Sequence, residues 1–336
     1  MTVVETPPGT NRTASLLGGR FRLDERISLD DQVSSPCGSS WEARGHSLWK
    51  ATDSLLGRPV TIYLLPRGIP VPRTVVEGIR SAAKVTDTRI AKVYDTDFNP
   101  DCPYIVTEWT PGTHLEDLLL SGLPSPALAA AMIADAADAI AVAHRAGRPH
   151  LRLTPRALRW HPGQGLRITG FGIDAALCGP QDPHANPMTA DTMALARMLY
   201  ALLTGYWPGY GPAGATPLPP APRHKGQVCT PRQVRAGVPA VLDAITYRAL
   251  LGEAADAPLR AQTPAGLAMA LSMVQRPSRL LGAPEYEVHE VDEATEGPGV
   301  AGVSGITSIR HARRARHGRT GHGLSTLLRP ALDDKA

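Results

Sequence analysis

Lysine is scarce in this chain. Among 336 residues only Lys50, Lys84, Lys92, Lys225 and Lys335 are lysine, against thirty arginines. Chemistry that depends on a lysine ammonium therefore has few places to reside. Cysteine is equally sparse: Cys37, Cys102, Cys178 and Cys229 show no metal-ligand spacing and no disulfide-rich density, which excludes a zinc ribbon or a disulfide scaffold. A reduced, cytoplasmic compartment is the expectation. Charge of one sign is lacking too, since a formal net charge of +4 is too small to argue for specific nucleic-acid binding. The longest apolar stretch, Ala127 to Ala143, is broken by Asp135 and Asp138, so no membrane-spanning helix is expected. The first residues lack a basic start followed by an apolar run, which argues against a secretory signal.

What remains is a chain with 43% hydrophobic and 20% charged residues, long enough to bury a substantial core. Residues 1–17 are rich in Thr and Pro without periodicity and read as a disordered lead. A β-rich region follows. Phe21-Arg22-Leu23 alternates, Leu48 to Ala51 reads as a strand, and Val60 to Leu65 is strongly β-forming, with a turn at Gly57-Arg58-Pro59. A helix is expected over 72–86, then strands at Ile90 to Tyr94 and Tyr104 to Val106.

From Ser125 the periodicity becomes helical. A hydroxyl cap followed by Pro126 opens a helix whose apolar residues Leu128, Met132, Ala136, Ile140 and Ala143 share one face. Ala157 to Trp160 and Leu166 to Ile168 flank a turn. Asp191 to Leu203 is apolar nearly all round and reads as a buried helix. Residues 206–230 read as a proline-rich loop, and helices are expected again over Pro239 to Leu250 and Pro264 to Met273. The final segment separates its charges: six acids and no Lys or Arg from Glu285 to Glu296, then five arginines and no acid from Arg310 to Arg319. It reads as a charged, flexible tail.

An ordered series of short motifs carries a resemblance. Asp24-Glu25-Arg26-Ile27, Trp49 to Asp53 and Gly57 to Val60 resemble the opening strands of bacterial serine/threonine protein kinases. Pro103 to Trp109 resembles the hinge between kinase lobes. Ala143 to Pro155 resembles the approach to the catalytic loop, and Leu166 to Gly172 sits where such kinases carry Asp-Phe-Gly. Ala190-Asp191-Thr192 running to Pro208 resembles the central buried helix and its exit. The implied fold is α+β, protein-kinase-like and two-lobed. A small β-rich N-lobe spans about 18–108, a larger helical C-lobe about 109–280, and the tail 281–336.

The same comparison implies lost chemistry. Phosphoryl transfer needs a glycine-rich cover, a strand lysine, a base and metal ligands. Ser28 to Ser47 offers only Gly38 and Gly45 for the cover, and brings in Asp30, Asp31 and Glu42. Tyr63 takes the strand-lysine position. Arg152 takes that of the general base, and a guanidinium cannot accept a proton. Thr154 and Ala157 stand for the catalytic-loop lysine and asparagine, and Gly170 for the metal-binding aspartate. The αC glutamate aligns near Gly78, with Glu77 one position away. His150, Phe171, Gly172 and Asp191 match positions that hold the kinase core together, Asp191 as a brace for the catalytic-loop backbone. Arg260 matches poorly.

The expectation is therefore a pseudokinase with no catalytic residues, no metal and no cofactor. ATP is not expected to bind; if it does, the hinge at Glu108 and Trp109 is where an adenine would lie. His150 to Pro155 and Thr230 to Val238 further resemble actinobacterial pseudokinases associated with the MviN/MurJ lipid II flippase. That implies a scaffold in cell-wall synthesis that recruits a forkhead-associated domain, working in the cytoplasm or at the inner face of the membrane. Arg145, Arg148, Arg152, Arg156 and Arg159 are a candidate anion-receiving surface, against the reading of ordinary solvated arginines. Thr295, acid-flanked, is a candidate phosphosite, against that of a linker threonine. The tail arginines could meet anionic lipid or fold onto the preceding acids. The rival from the enzyme class is an atypical, weakly active kinase in which Lys50 or Lys84 reaches the phosphates and Asp174 binds metal.

Overall fold

A computed structural model describes residues 16–27, 46–209, 216–251 and 263–274. All belong to the unit Met1–Tyr286. The glycine-loop region, Arg260, Thr295 and the tail arginines lie outside the described residues.

The chain opens with strands β1 (Phe21–Ile27), β2 (Ser47–Asp53) and β3 (Arg58–Leu64), then helix α1 (Arg73–Ala82), β4 (Val93–Asp97) and β5 (Tyr104–Glu108). The five strands form one antiparallel sheet in the order β1-β2-β3-β5-β4. Side chains alternate across a strand, and β3 uses that period twice. Val60 and Ile62 pack with Phe21, Ala51, Tyr104 and Val106 on one face. Tyr63 packs on the other with Leu48, Ile105, Val75 and Ile79, the last two from α1.

The larger, helical part comprises β6 (Thr113–His114), α2 (Leu115–Ser121), α3 (Pro126–Arg145), β7 (Leu158–His161), β8 (Gly165–Ile168), α4 (Asp174–Cys178), α5 (Pro187–Thr204), β9 (Arg223–His224), β10 (Gln227–Val228), α6 (Pro231–Val234), α7 (Ala240–Leu251) and α8 (Pro264–Ser272). Helix α3 starts as its sequence dictates, with Ser125 Oγ accepting from Leu128 N at 3.3 Å. It is long and apolar enough to cross a membrane, yet most of it is buried inside the protein. Ala129, Ala130, Ala136, Ala137 and Ala143 are covered by the surrounding core. Small side chains there let neighbouring helices approach closely, so α3 is a core helix. Helix α5 is buried on nearly every side.

Several boundaries differ from the sequence reading. The first helix ends at Ala82, four residues short of expectation. Ile90 forms only an isolated bridge to Ile168, and the strand begins at Val93. Helix α5 begins at Pro187 because Asn186 Oδ1 accepts from Met188 N at 2.9 Å, capping it early. The proline-rich loop contains the β9–β10 hairpin. Helices α2, α4 and α6 are additions.

One buried charge ties down the outer edge of the sheet. Asp53, fully buried at the end of β2, accepts two bonds from Arg20, both 2.8 Å, and receives the amides of Leu55 and Leu56. These bonds, led by Arg20, hold its pKa down to about 2 despite burial. A depressed carboxylate pKa contributes stability above its unfolded value, near 3.9, that is lost as pH falls towards 2. Asp53→Ala should lower unfolding free energy by on the order of 2 kcal/mol at pH 7. The deficit should shrink by pH 2.5 in urea titrations. A deficit equal at both pH values would contradict this role.

Candidate functional site

The site is built downward from α5. Asp191, buried in its second turn, accepts from His150 N and Leu151 N, each at 2.7 Å, and contacts His144 Nε2 at 2.7 Å. One carboxylate thus spans the end of α3 and the loop before β7. The loop is held in a costly shape: Leu151 has φ +63°, a left-handed conformation that costs an L-residue about 1–2 kcal/mol. His150 is fully buried and meets Phe171 edge-on, ring centroids 5.7 Å apart. Its Nδ1 accepts from Arg152 N and its Nε2 donates to Thr169 O, both at 3.3 Å. Burial lowers its pKa, in keeping with that neutral tautomer.

From this loop Arg152 reaches across the cleft. Its Nη1 donates to Cys178 O at 3.2 Å and to Gly179 O at 3.0 Å. Those carbonyls end α4, where a cation is favoured. Gln181 N bonds to Leu151 O at 3.0 Å, a second tie between loop and segment. Helix α4 in turn presses into the small lobe. Ile173 and Leu177 join the Tyr63, Val75 and Ile79 cluster, and Gly78 on α1 lies against Ala176, with room for a Cβ only in ordinary contact at 3.5 Å.

Two glycines make this packing possible. A Cβ at Gly172 (φ +70°) would strike Ala82 on α1, and one at Gly170 (φ +72°) would strike the Asp174 carboxylate. Both need the left-handed region that glycine tolerates. Asp174 therefore occupies the space beside Gly170 from four residues on. Burial pushes its carboxyl up to about 7, opposed by the nearby charge of Arg152. Tyr63 is buried, its phenol pKa raised by burial and then by Asp174 and Cys178. His46 stacks on it at 5.8 Å, its pKa lowered to about 4 by burial and Arg152.

The structure thus brings Tyr63, Arg152, Gly170 and Asp174 into one cleft with His150, Phe171 and Gly172 behind them. Thr154 and Ala157 share a turn, Ala157 N donating to Thr154 O at 3.0 Å. Glu77 points away, paired with Arg73 at 2.7 Å on an exposed helix face, and Lys84 is exposed beyond α1. Glu108 in the hinge pairs with Arg167 at 2.7 Å. Among the described residues no group of three or more His, Cys, Asp or Glu could hold a metal ion.

The five candidate arginines do not form one free surface. Arg152 holds the segment, Arg156 pairs with the buried Glu116 at 2.5 Å, and Arg159 donates to Gly112 O and contacts His114. Of the five, Arg145 alone is exposed, with Arg148 partly covered beside it. Stretches of like residues in sequence were divided among different internal acceptors by the fold. The sequence reading missed α4 and the apolar packing of Ile173 and Leu177. A five-residue helix has too short a period to announce itself.

No protein-family profile matches the chain. It is similar to a probable serine/threonine-protein kinase of Bifidobacterium longum, 26% identical over 59% of this chain and 28% of that protein. It is also similar to a probable serine/threonine-protein kinase of Corynebacterium efficiens, 27% identical over 68% of this chain and 39% of that one. The serine/threonine-protein kinase PknB of Mycolicibacterium smegmatis is 27% identical over 51% of this chain and 31% of its own length. The chain spans less than two fifths of these relatives. Fold and similarity together define a protein-kinase-like domain, related to actinobacterial serine/threonine kinases.

A carboxyl whose folded pKa is raised to about 7 contributes stability that is fully present below its unfolded value, near 3.9, and is lost progressively as pH rises from there to about 7. Asp174→Asn should therefore raise the melting temperature clearly more at pH 8 than at pH 5. An equal shift at both would show that Asp174 is ionised throughout.

Proposed function

We propose that this kinase-like domain does not transfer phosphate and serves as a protein-binding scaffold. The observation that carries the reading is the filled cleft. A phenol stands where the strand ammonium would pair nucleotide phosphates, a guanidinium where a base would accept a proton, and α4 packs against both lobes between them. A fixed cation at the position of Arg152 also opposes magnesium, a hard ion that needs oxygen ligands. What is retained is the frame: Asp191, His150, Phe171 and Gly172 hold a shape without the reactive groups.

The partners follow from the sequence resemblance. The scaffold acts in cell-wall synthesis at the inner face of the membrane. It engages a forkhead-associated domain protein or the lipid II flippase, with Thr295 as the residue whose phosphorylation governs recruitment. Neither nucleotide nor metal is required. A pull-down with phosphorylated and unphosphorylated full chain tests this; equal recovery of a forkhead-associated protein by both forms would remove Thr295 from the account.

One observation favours a second reading. The Asp174 carboxylate lies beside Gly170, near where a metal-binding aspartate would reach, so an atypical, weakly active kinase could route a metal through it. Thermal-shift titration with ATP, with and without magnesium, separates the two. The scaffold reading expects no shift and no transfer of labelled phosphate. A magnesium-dependent shift accompanied by transfer would establish the second reading. The triple variant Tyr63→Lys/Arg152→Asp/Gly170→Asp should also stay inactive, because a side chain at 170 meets Asp174. Recovered transfer would show that the residues alone, and not the packing of α4, keep the domain silent.

A further inference from the structure

The hinge carries a feature that the filled cleft does not explain. Trp109 follows directly on β5, and two cations converge on its indole from opposite lobes. Lys50 Nζ of β2, in the small lobe, lies 5.0 Å from the ring centroid. Arg159 Cζ of β7, in the large lobe, lies 5.8 Å from it. Lys50 is two residues from Leu48, so it shares the strand face that packs towards the cleft. Each cation lies within the range where an indole attracts a positive charge, and tryptophan is the strongest such ring.

Arg159 is aimed by its neighbours. Its Nη2 donates to Gly112 O at 2.6 Å, and its Nη1 lies 2.7 Å from His114 Nε2. That second contact requires an unprotonated Nε2. His114 Nδ1 lies 2.7 Å from Arg156 O, so the proton sits on Nδ1 and Nε2 accepts. Burial, then the charge of Arg159, lower the His114 pKa to about 4, which keeps the ring neutral. The opposing register of His114 and Arg159 in the β6–β7 pair places the two side chains together.

We propose that Lys50, Trp109 and Arg159 form a cross-lobe staple that fixes the angle between the two lobes without a bound ligand. In a domain whose purpose is to present a surface, a fixed lobe angle keeps that surface in one shape. The staple rests on the fold alone and holds whether or not the cleft is catalytic.

The test is the distribution of distances between spin labels on the two lobes of the full chain. Leu55→Cys in the small lobe and Met269→Cys in the large lobe are exposed attachment points, with Cys37, Cys102, Cys178 and Cys229 replaced by serine. The otherwise unmodified hinge should give one narrow distribution. Trp109→Leu and Lys50→Met should each at least double its width, and Lys50→Arg should restore it. Lys50→Met keeps an unbranched stem and removes only the charge, so it serves if Trp109→Leu does not fold. A width unchanged in Lys50→Met overturns the proposal, as does a broad distribution in the starting protein.

Discussion

The Asp191 carboxylate is the point on which the cleft depends. A buried carboxylate must find donors or pay heavily in lost hydration. This one finds them in the amides of His150 and Leu151 and in the ring of His144. Satisfying it fixes the loop, holds Leu151 left-handed, and sets the direction in which the next residue leaves. Arg152 then reaches the carbonyls of Cys178 and Gly179, and His150 meets Phe171. Anchoring at α5 is thereby transmitted to α4, and through Ile173 and Leu177 to Tyr63 and α1 in the other lobe.

Electrostatics and packing act together in that cleft. Two unit charges 4 Å apart interact by about 4 kcal/mol at an effective dielectric of 20, so a guanidinium facing an incoming metal is a substantial barrier by itself. Packing adds a constraint that charge reversal would leave in place. Gly172 approaches Ala82 so closely that a side chain there requires α1 to move, and a side chain at Gly170 requires the Asp174 carboxylate to turn away. An Asp174 carboxyl held near neutrality suits such a crowded setting better than a permanent anion would.

Much of the architecture was legible because its signals are local and long. The alternation in β3, the Ser125-Pro126 start of α3 and the apolar girth of α5 each follow from the period of a single segment. Tyr63, Arg152 and Gly170 could be singled out in the sequence because they stand inside ordered motifs, and the fold brings all three to one cleft. Other features depend on tertiary partners. Helix α4 is five residues long and owes its shape to the pocket beneath it and the arginine beyond it. The arginines crowded between 145 and 159 read as one surface, yet Glu116, Gly112 and the end of α4 draw three of them inward. Nothing in their spacing distinguishes Arg145, which stays exposed, from Arg156, which is paired with a buried acid.

Whether Arg152 holds α4 in the cleft is read by amide hydrogen exchange across residues 173–178. The amide of Leu177, bonded to Ile173 O at 2.8 Å, should be protected in the unmodified protein and should exchange at least ten-fold faster in Arg152→Ala. Protection at Leu177 that is absent from the start, or unaltered by Arg152→Ala, would contradict the account.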